Sequence, residues 1–223
     1  MSRRSNDKLH MRNLLGTCAL AVAAALFQWI TPVRADPPTD TIERPNTEVM
    51  ARALQSIWPN PKDGWEKRIK QDDTQSSCSR YRNDPPSEEA KVITERETAR
   101  IVLPAGGKVL GDWKKGEKIA SNGRGGQFSD PPGTENGGNC YACHQLAKSE
   151  VAYGTLGPSL TNYGKDRGFS LDAAKAAYAK IFDSEATFAC SNMPRFGVHG
   201  FLSEQQIKDV VAFLFDKESP VNK

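Results

Sequence analysis

Five residues constrain this chain more than any other feature: Cys140-Tyr141-Ala142-Cys143-His144 spell C-x-x-C-H. That spacing is the attachment pattern of a c-type haem. Two thiols three positions apart reach the two vinyl groups of one porphyrin and form thioethers. The histidine beside the second thiol then points a ring nitrogen at the iron. Gly137-Gly138-Asn139 precede the motif and let the chain turn tightly into it. The competing reading is zinc, but a structural zinc site takes four protein ligands. The other cysteines stand singly rather than as a second close pair.

A haem iron built for electron transfer is held from both faces, and His144 supplies one axial ligand. Beyond the first 35 residues only Met50 and Met193 offer a thioether, and His199 is the other histidine. Met193 is the better candidate: it follows His144 by 49 residues and sits beside Pro194, which stiffens a loop. A single methionine is more often a filler of core gaps, so Met50 and His199 stay in view, His199 as a surface or supporting residue. A thioether is a softer donor than imidazole and favours ferrous iron, so His/Met ligation raises the potential. Pro158 has two readings. Either it helps present a carbonyl to the second ring N–H of His144, or it only shapes its turn.

The chain begins as exported proteins do. Arg3, Arg4, Lys8 and Arg12 form a positive region, residues 14–30 an apolar one, and Val33-Arg34-Ala35 places small residues before a cut ahead of Asp36. We read residues 1–35 as a signal peptide and the compartment as the periplasm. Ser5, Asn6 and Asp7 after Arg3-Arg4 argue against a twin-arginine signal, and Thr17 before Cys18 makes a poor lipoprotein site. An uncleaved anchor is the alternative, since the apolar run approaches the length of a span; otherwise the mature form has no membrane span. Removing residues 1–35 leaves 25 basic against 26 acidic residues, so the net charge of +3 belongs to the leader. A nucleic-acid partner is not indicated.

Five cysteines are present. Cys18 leaves with the leader and Cys140 and Cys143 go to haem, which leaves Cys78 and Cys190. In an oxidising compartment such a pair is most simply a disulfide; the alternative is two separate thiols. The bridge would tie the Met193 loop to the N-terminal region.

The remaining chain, roughly 188 residues, divides near 105. Residues 36–105 form an N-terminal extension: a Pro-rich arm, a short helix over Thr47–Trp58 with Met50, Leu54, Ile57 and Trp58 on one side, another around Trp65, a coil over 74–83, and a helix opening at Ser87 with Val92 and Ile93 inward. Residues 106–223 form the haem domain. Asp112 caps a helix over 113–121, Ser170 opens one over 171–183, and Ser203 with Gln206 is a capping box opening a last helix to Phe215 or Asp216. Ile207, Val210, Val211, Leu214 and Phe215 give that helix an apolar stripe. No segment alternates as a strand does, so the fold is all-α.

Four runs taken together resemble the SoxX family. They are Gly138-Asn139-Cys140-Tyr141-Ala142-Cys143-His144, Gly154-Thr155-Leu156-Gly157-Pro158-Ser159-Leu160, Cys190-Ser191-Asn192-Met193-Pro194-Arg195-Phe196-Gly197, and the ending from Leu202 to Asp216. The resemblance spans roughly 106–222 and implies a class I cytochrome c-like domain with one covalent haem c, Cys140 and Cys143 holding it and His144 and Met193 on the iron. It further implies a heterodimer with a larger SoxA-like cytochrome subunit. In that family the pair (SoxAX, an L-cysteine S-thiosulfotransferase) joins thiosulfate to a cysteine of the SoxYZ carrier protein. Bond formation is assigned to the larger subunit, and electrons leave through the small one to a mobile cytochrome c. No catalytic residue is then expected on this chain. A free-standing cytochrome shuttle and a haem-based ligand sensor are the alternatives. The long extension with Trp58 and Trp65 argues against a shuttle, and a sensor needs an open axial position.

Overall fold

Among the described residues, 47–60 and 69–223 of a computed structural model, the order is α1 (Thr47–Ile57), α2 (Asp73–Arg80), α3 (Ser87–Thr98), α4 (Trp113–Ser121), the short α5 (Tyr163–Asp166), α6 (Leu171–Phe182) and α7 (Glu204–Phe215). Single 3-10 turns lie at Ala105–Gly107, Cys140–Ala142, Ser184–Ala186 and Pro220–Asn222, and the described residues contain no strand. All of them fall within one compact unit, Pro45–Lys223. The expected leader over 1–35, the arm over 36–46 and Trp65 lie outside the described residues. No described helix is long and apolar enough to cross a membrane.

The frame of the haem domain is the crossing of α4 and α7. Ser203 accepts from the Gln206 amide at 3.2 Å while the Gln206 side chain accepts from the Ser203 amide at 3.0 Å, and this reciprocal cap starts α7. Its stripe of Ile207, Val210, Val211, Leu214 and Phe215 is buried, together with Phe213. Each large side chain taken out of water contributes about 1.5–3 kcal/mol. At the crossing a Cβ on Gly116 would stand 2.0 Å from the Asp209 carbonyl oxygen, so only glycine lets the backbones meet. Asp209 is itself buried, and its Oδ1 accepts from the Asp112 amide and from Gln205 Nε2, both at 2.8 Å. A residue of α7 thus caps the start of α4.

Around this crossing Ile119, Leu146, Tyr178, Ile181, Phe196 and Leu202 complete the main core, with Cys140 and Met193 packed against it. A smaller core holds Cys78, Ile93, Ala189 and Cys190, with Ala90 beside it. It joins α2 and α3 to the segment that carries Met193.

Two expectations for the N-terminal region need correction. Residues 73–80 form a helix, not a coil, because Asp72 and Gln75 make a capping box: Asp72 Oδ1 accepts from the Gln75 amide at 2.9 Å and Gln75 Oε1 from the Asp72 amide at 3.0 Å. On α3, Ile93 is fully buried but Val92 is 51% exposed, since the inward stripe runs through Ile93 and Glu97.

Candidate functional site

The C-x-x-C-H segment enters through Asn139 in the left-handed region (φ 49°), where a short polar side chain is tolerated, and turns once over Cys140–Ala142. Three backbone hydrogen bonds then zip residues 154–160 onto it: Gly154 N to Tyr141 O at 2.9 Å, Gly157 N to Cys143 O at 2.8 Å and Leu160 N to Gln145 O at 2.8 Å. The zip carries the Pro158 carbonyl oxygen to 2.7 Å from His144 Nδ1. A carbonyl can only accept, so Nδ1 carries the proton and Nε2 keeps its lone pair, the tautomer a metal-ligating imidazole needs. Gly157 lies flat against the same ring, and a Cβ there would fall 2.1 Å from Cε1 and 2.4 Å from Nδ1.

Cys140 and Cys143 are free and half-buried. Burial pushes the Cys140 thiol up to about 12, with the neighbouring Cys143 adding to it.

Met193 is carried by the segment that follows α6. Cys190 is bonded to Cys78 with Cα atoms 5.3 Å apart and takes a left-handed φ of 59°. The Cys190 amide donates to a Glu185 carboxylate oxygen, the Met193 amide donates to Ser191 Oγ at 3.2 Å, and Ser184 Oγ donates to the Met193 carbonyl. Beyond Pro194, the Arg195 side chain is only 4% exposed. Its Nη2 lies 2.6 Å from Asp72 Oδ2 and its Nη1 3.3 Å from Glu97 Oε2. Glu97 is fully buried and also receives Arg96 Nε at 3.3 Å, Arg100 Nη1 at 3.2 Å and the Thr74 hydroxyl. Burial alone would raise Asp72 and Glu97. The Gln75 amide and Arg195 outweigh it at Asp72, and Thr74, Asp183, Arg96 and Arg100 outweigh it at Glu97, so both stay below the ordinary carboxylate range. Asp183 goes the other way: burial first, then the Glu97 carboxylate, raise it to about 7.

These residues fit a covalent haem. Two free thiols stand at thioether spacing, an imidazole is fixed by its far nitrogen, a thioether is held on a tethered loop, and Tyr141, Tyr153 and Leu156 expose apolar surface beside the motif. Residues 113–216 match the cytochrome c family model. A relative from Aquifex aeolicus (strain VF5), named an uncharacterized lipoprotein, is 39% identical over 158 residues, covering 69% of this chain and 73% of its own.

The chain belongs to the cytochrome c family.

The cytochrome carries one covalently attached c-type haem, which supplies reversible one-electron iron chemistry, and electron transfer is its class of function. Of the residues singled out in the sequence, Cys140, Cys143 and His144 come together on one turn, while Met193 packs against the main core. Met50 lies exposed on α1, and His199 is exposed with its amide donating to the Arg195 carbonyl. Cys78, Glu185 and Cys190 bring donor atoms close together, but the two sulfurs are spent on each other. The sequence reading missed Asp72, Glu97, Asp183, Ser184 and Arg195. Only Arg195 offered a local signal, as the charged residue next to Met193-Pro194; its partners lie about a hundred residues earlier.

Proposed function

We propose that this cytochrome is the small electron-transfer subunit of a periplasmic SoxAX-type complex. Its partners are a larger SoxA-like cytochrome subunit, a SoxYZ-type carrier and a mobile cytochrome c acceptor. One observation carries the division of labour: among the described residues the two haem thiols are the only free cysteines, because Cys78 and Cys190 are bonded. Among the described residues no thiol is then left to act on sulfur. In the conjugation a carrier thiol loses its proton, a sulfur–sulfur bond forms to thiosulfate, and two electrons leave. A one-haem chain receives them one at a time. His144 and Met193 would hold the iron from its two sides, and an iron so held would offer substrate no open position, which favours electron transfer over ligand sensing.

Two further features support the reading. Among the described residues the apolar side of α1 is left exposed: Met50 and Ile57 on the helix and Trp58 just after it, Trp58 by 48%. An amphipathic helix with that face in water suits a partner surface. The relative is named a lipoprotein, which accords with an exported chain that works outside the cytoplasm.

Reconstitution tests the proposal. The chain alone should take electrons from a reductant yet form no thiosulfate conjugate. Conjugation should appear only when the larger haem subunit and the carrier are both present, and deleting residues 47–60 should weaken that assembly while leaving the haem spectrum in place. Conjugation by the isolated chain, or full activity of the other components without it, would overturn the assignment.

A further inference from the structure

The Met193 loop is gripped from both sides by the same N-terminal helix. Three residues before Met193, Cys190 is bonded to Cys78 within α2. Two residues after it, Arg195 is paired with Asp72, the N-cap of α2, and with Glu97 on α3. Between the grips Ser184 holds the Met193 carbonyl, and Thr98 Oγ1 donates to the Ala186 carbonyl at 3.3 Å, pinning the start of the segment to α3.

We infer that Arg195, clasped by Asp72 and Glu97, is a positioning residue that holds Met193 in place as the axial ligand. The inference rests on the reading of Met193 as that ligand, and the physical case has three steps. A thioether is a neutral, weak donor, so the entropy of confining its loop is a large share of the equilibrium between bound and released sulfur. A single anchor at Cys190 would let the following residues pivot; a second at Arg195 removes that freedom. Pro194 joins the second anchor to Met193 with a fixed φ, so a displacement of Arg195 is passed on rather than absorbed.

The chemistry of the clasp points the same way. Two carboxylates approach the guanidinium on different nitrogens, Nη2 and Nη1, a geometry that Arg's planar fork satisfies and the point charge of Lys does not. Burying such charges gains little stability over an apolar cluster of the same size, because desolvation opposes the attraction. In this clasp the ion pairs serve to fix geometry. Here the geometry fixed is that of the six residues from Cys190 to Arg195.

The test uses the full holoprotein with the Cys78–Cys190 bridge verified intact by peptide mapping. Three readouts are taken: the near-infrared sulfur-to-ferric-iron band, the affinity of the ferric protein for added imidazole, and amide exchange over residues 190–195. Arg195→Gln should weaken the band, raise imidazole affinity at least tenfold and speed amide exchange, with Arg195→Lys recovering only part of each. If Arg195→Gln does not fold, Asp72→Asn, which neutralises only the closer carboxylate, should raise imidazole affinity about threefold or more. Imidazole affinity and exchange within twofold of wild type in the folded variants would overturn the positioning role. Met193→Ala separates the two claims. If it abolishes the band while the Arg195 variants change nothing, only the positioning role fails; if it keeps the band, the ligand assignment falls and the inference with it.

Discussion

The carbonyl oxygen of Pro158 lies 2.7 Å from Nδ1 of His144 and, being only an acceptor, fixes which ring nitrogen is free. The neighbour that sets this geometry is Gly157, whose missing side chain leaves room for the ring.

Gly157→Ala should therefore act on the iron before it acts on the fold. The added methyl would overlap the imidazole, so the ring must tilt or the zip over 154–160 must open. We expect covalent haem to be retained, a mixture of low- and high-spin ferric iron in the electron paramagnetic resonance spectrum, and a loss of about 1–3 kcal/mol in stability. An unchanged low-spin spectrum would mean that the ring is not held from this side.

Gly116→Ala tests the helix crossing by the same steric logic with the opposite consequence. A Cβ placed 2.0 Å from the Asp209 carbonyl would force α4 and α7 apart and disturb the Asp209 cap on Asp112. Denaturant unfolding should show a loss of roughly 2–4 kcal/mol, while the folded fraction keeps a native haem spectrum.

The haem end of this molecule was legible in the sequence because its geometry is local. Cys140, Cys143 and His144 lie within five residues, and the caps at Asp112, Ser170 and Ser203 announce α4, α6 and α7 within a single turn each. The helix at Asp73–Arg80 was missed although its Asp72–Gln75 box has the same form, because no apolar stripe followed the cap. Val92 and Ile93 are adjacent and equally apolar, and only tertiary contact with the disulfide-centred core decides that Ile93 goes inward. The Arg195 clasp was beyond reach for a different reason. Arginine and glutamate read as solvated residues, and it takes the fold to bring Asp72 and Glu97 to Arg195 and to bury Arg195 and Glu97.

Replacing both Cys78 and Cys190 with alanine should separate covalent from ionic restraint. The bridge closes a loop of 112 residues, for which chain entropy gives about 4–5 kcal/mol as an upper figure. Because the clasp still ties α2 and α3 to the loop in the folded protein, we expect a near-infrared band that persists at neutral pH, alongside a loss of up to about 4–5 kcal/mol on denaturant unfolding. Loss of the band in this variant would show that the bridge alone sets the Met193 loop.

Asp183 gives the protein a pH dependence of unusual sign. Its carboxyl is fully buried, faces Glu97, Arg195 and Glu185, and titrates at about 7 against an ordinary 3.8. Between pH 4 and 7 the folded chain keeps a proton that the unfolded chain has released, so this group lowers stability as pH rises through that window, and the full cost is present above it. Asp72 and Glu97 have the opposite sign: both are held low, so their contribution is present above the unfolded carboxylate range and is lost in acid. Asp183→Asn retains an oxygen to accept from the Glu185 amide, which now sits 3.1 Å from Asp183 Oδ1, and offers Glu97 a donor at every pH. The variant should match wild type near pH 5 and exceed it by on the order of 1–3 kcal/mol at pH 8, read as denaturation midpoints at the two pH values. An equal difference at both would mean that folded Asp183 keeps no proton that the unfolded chain has released.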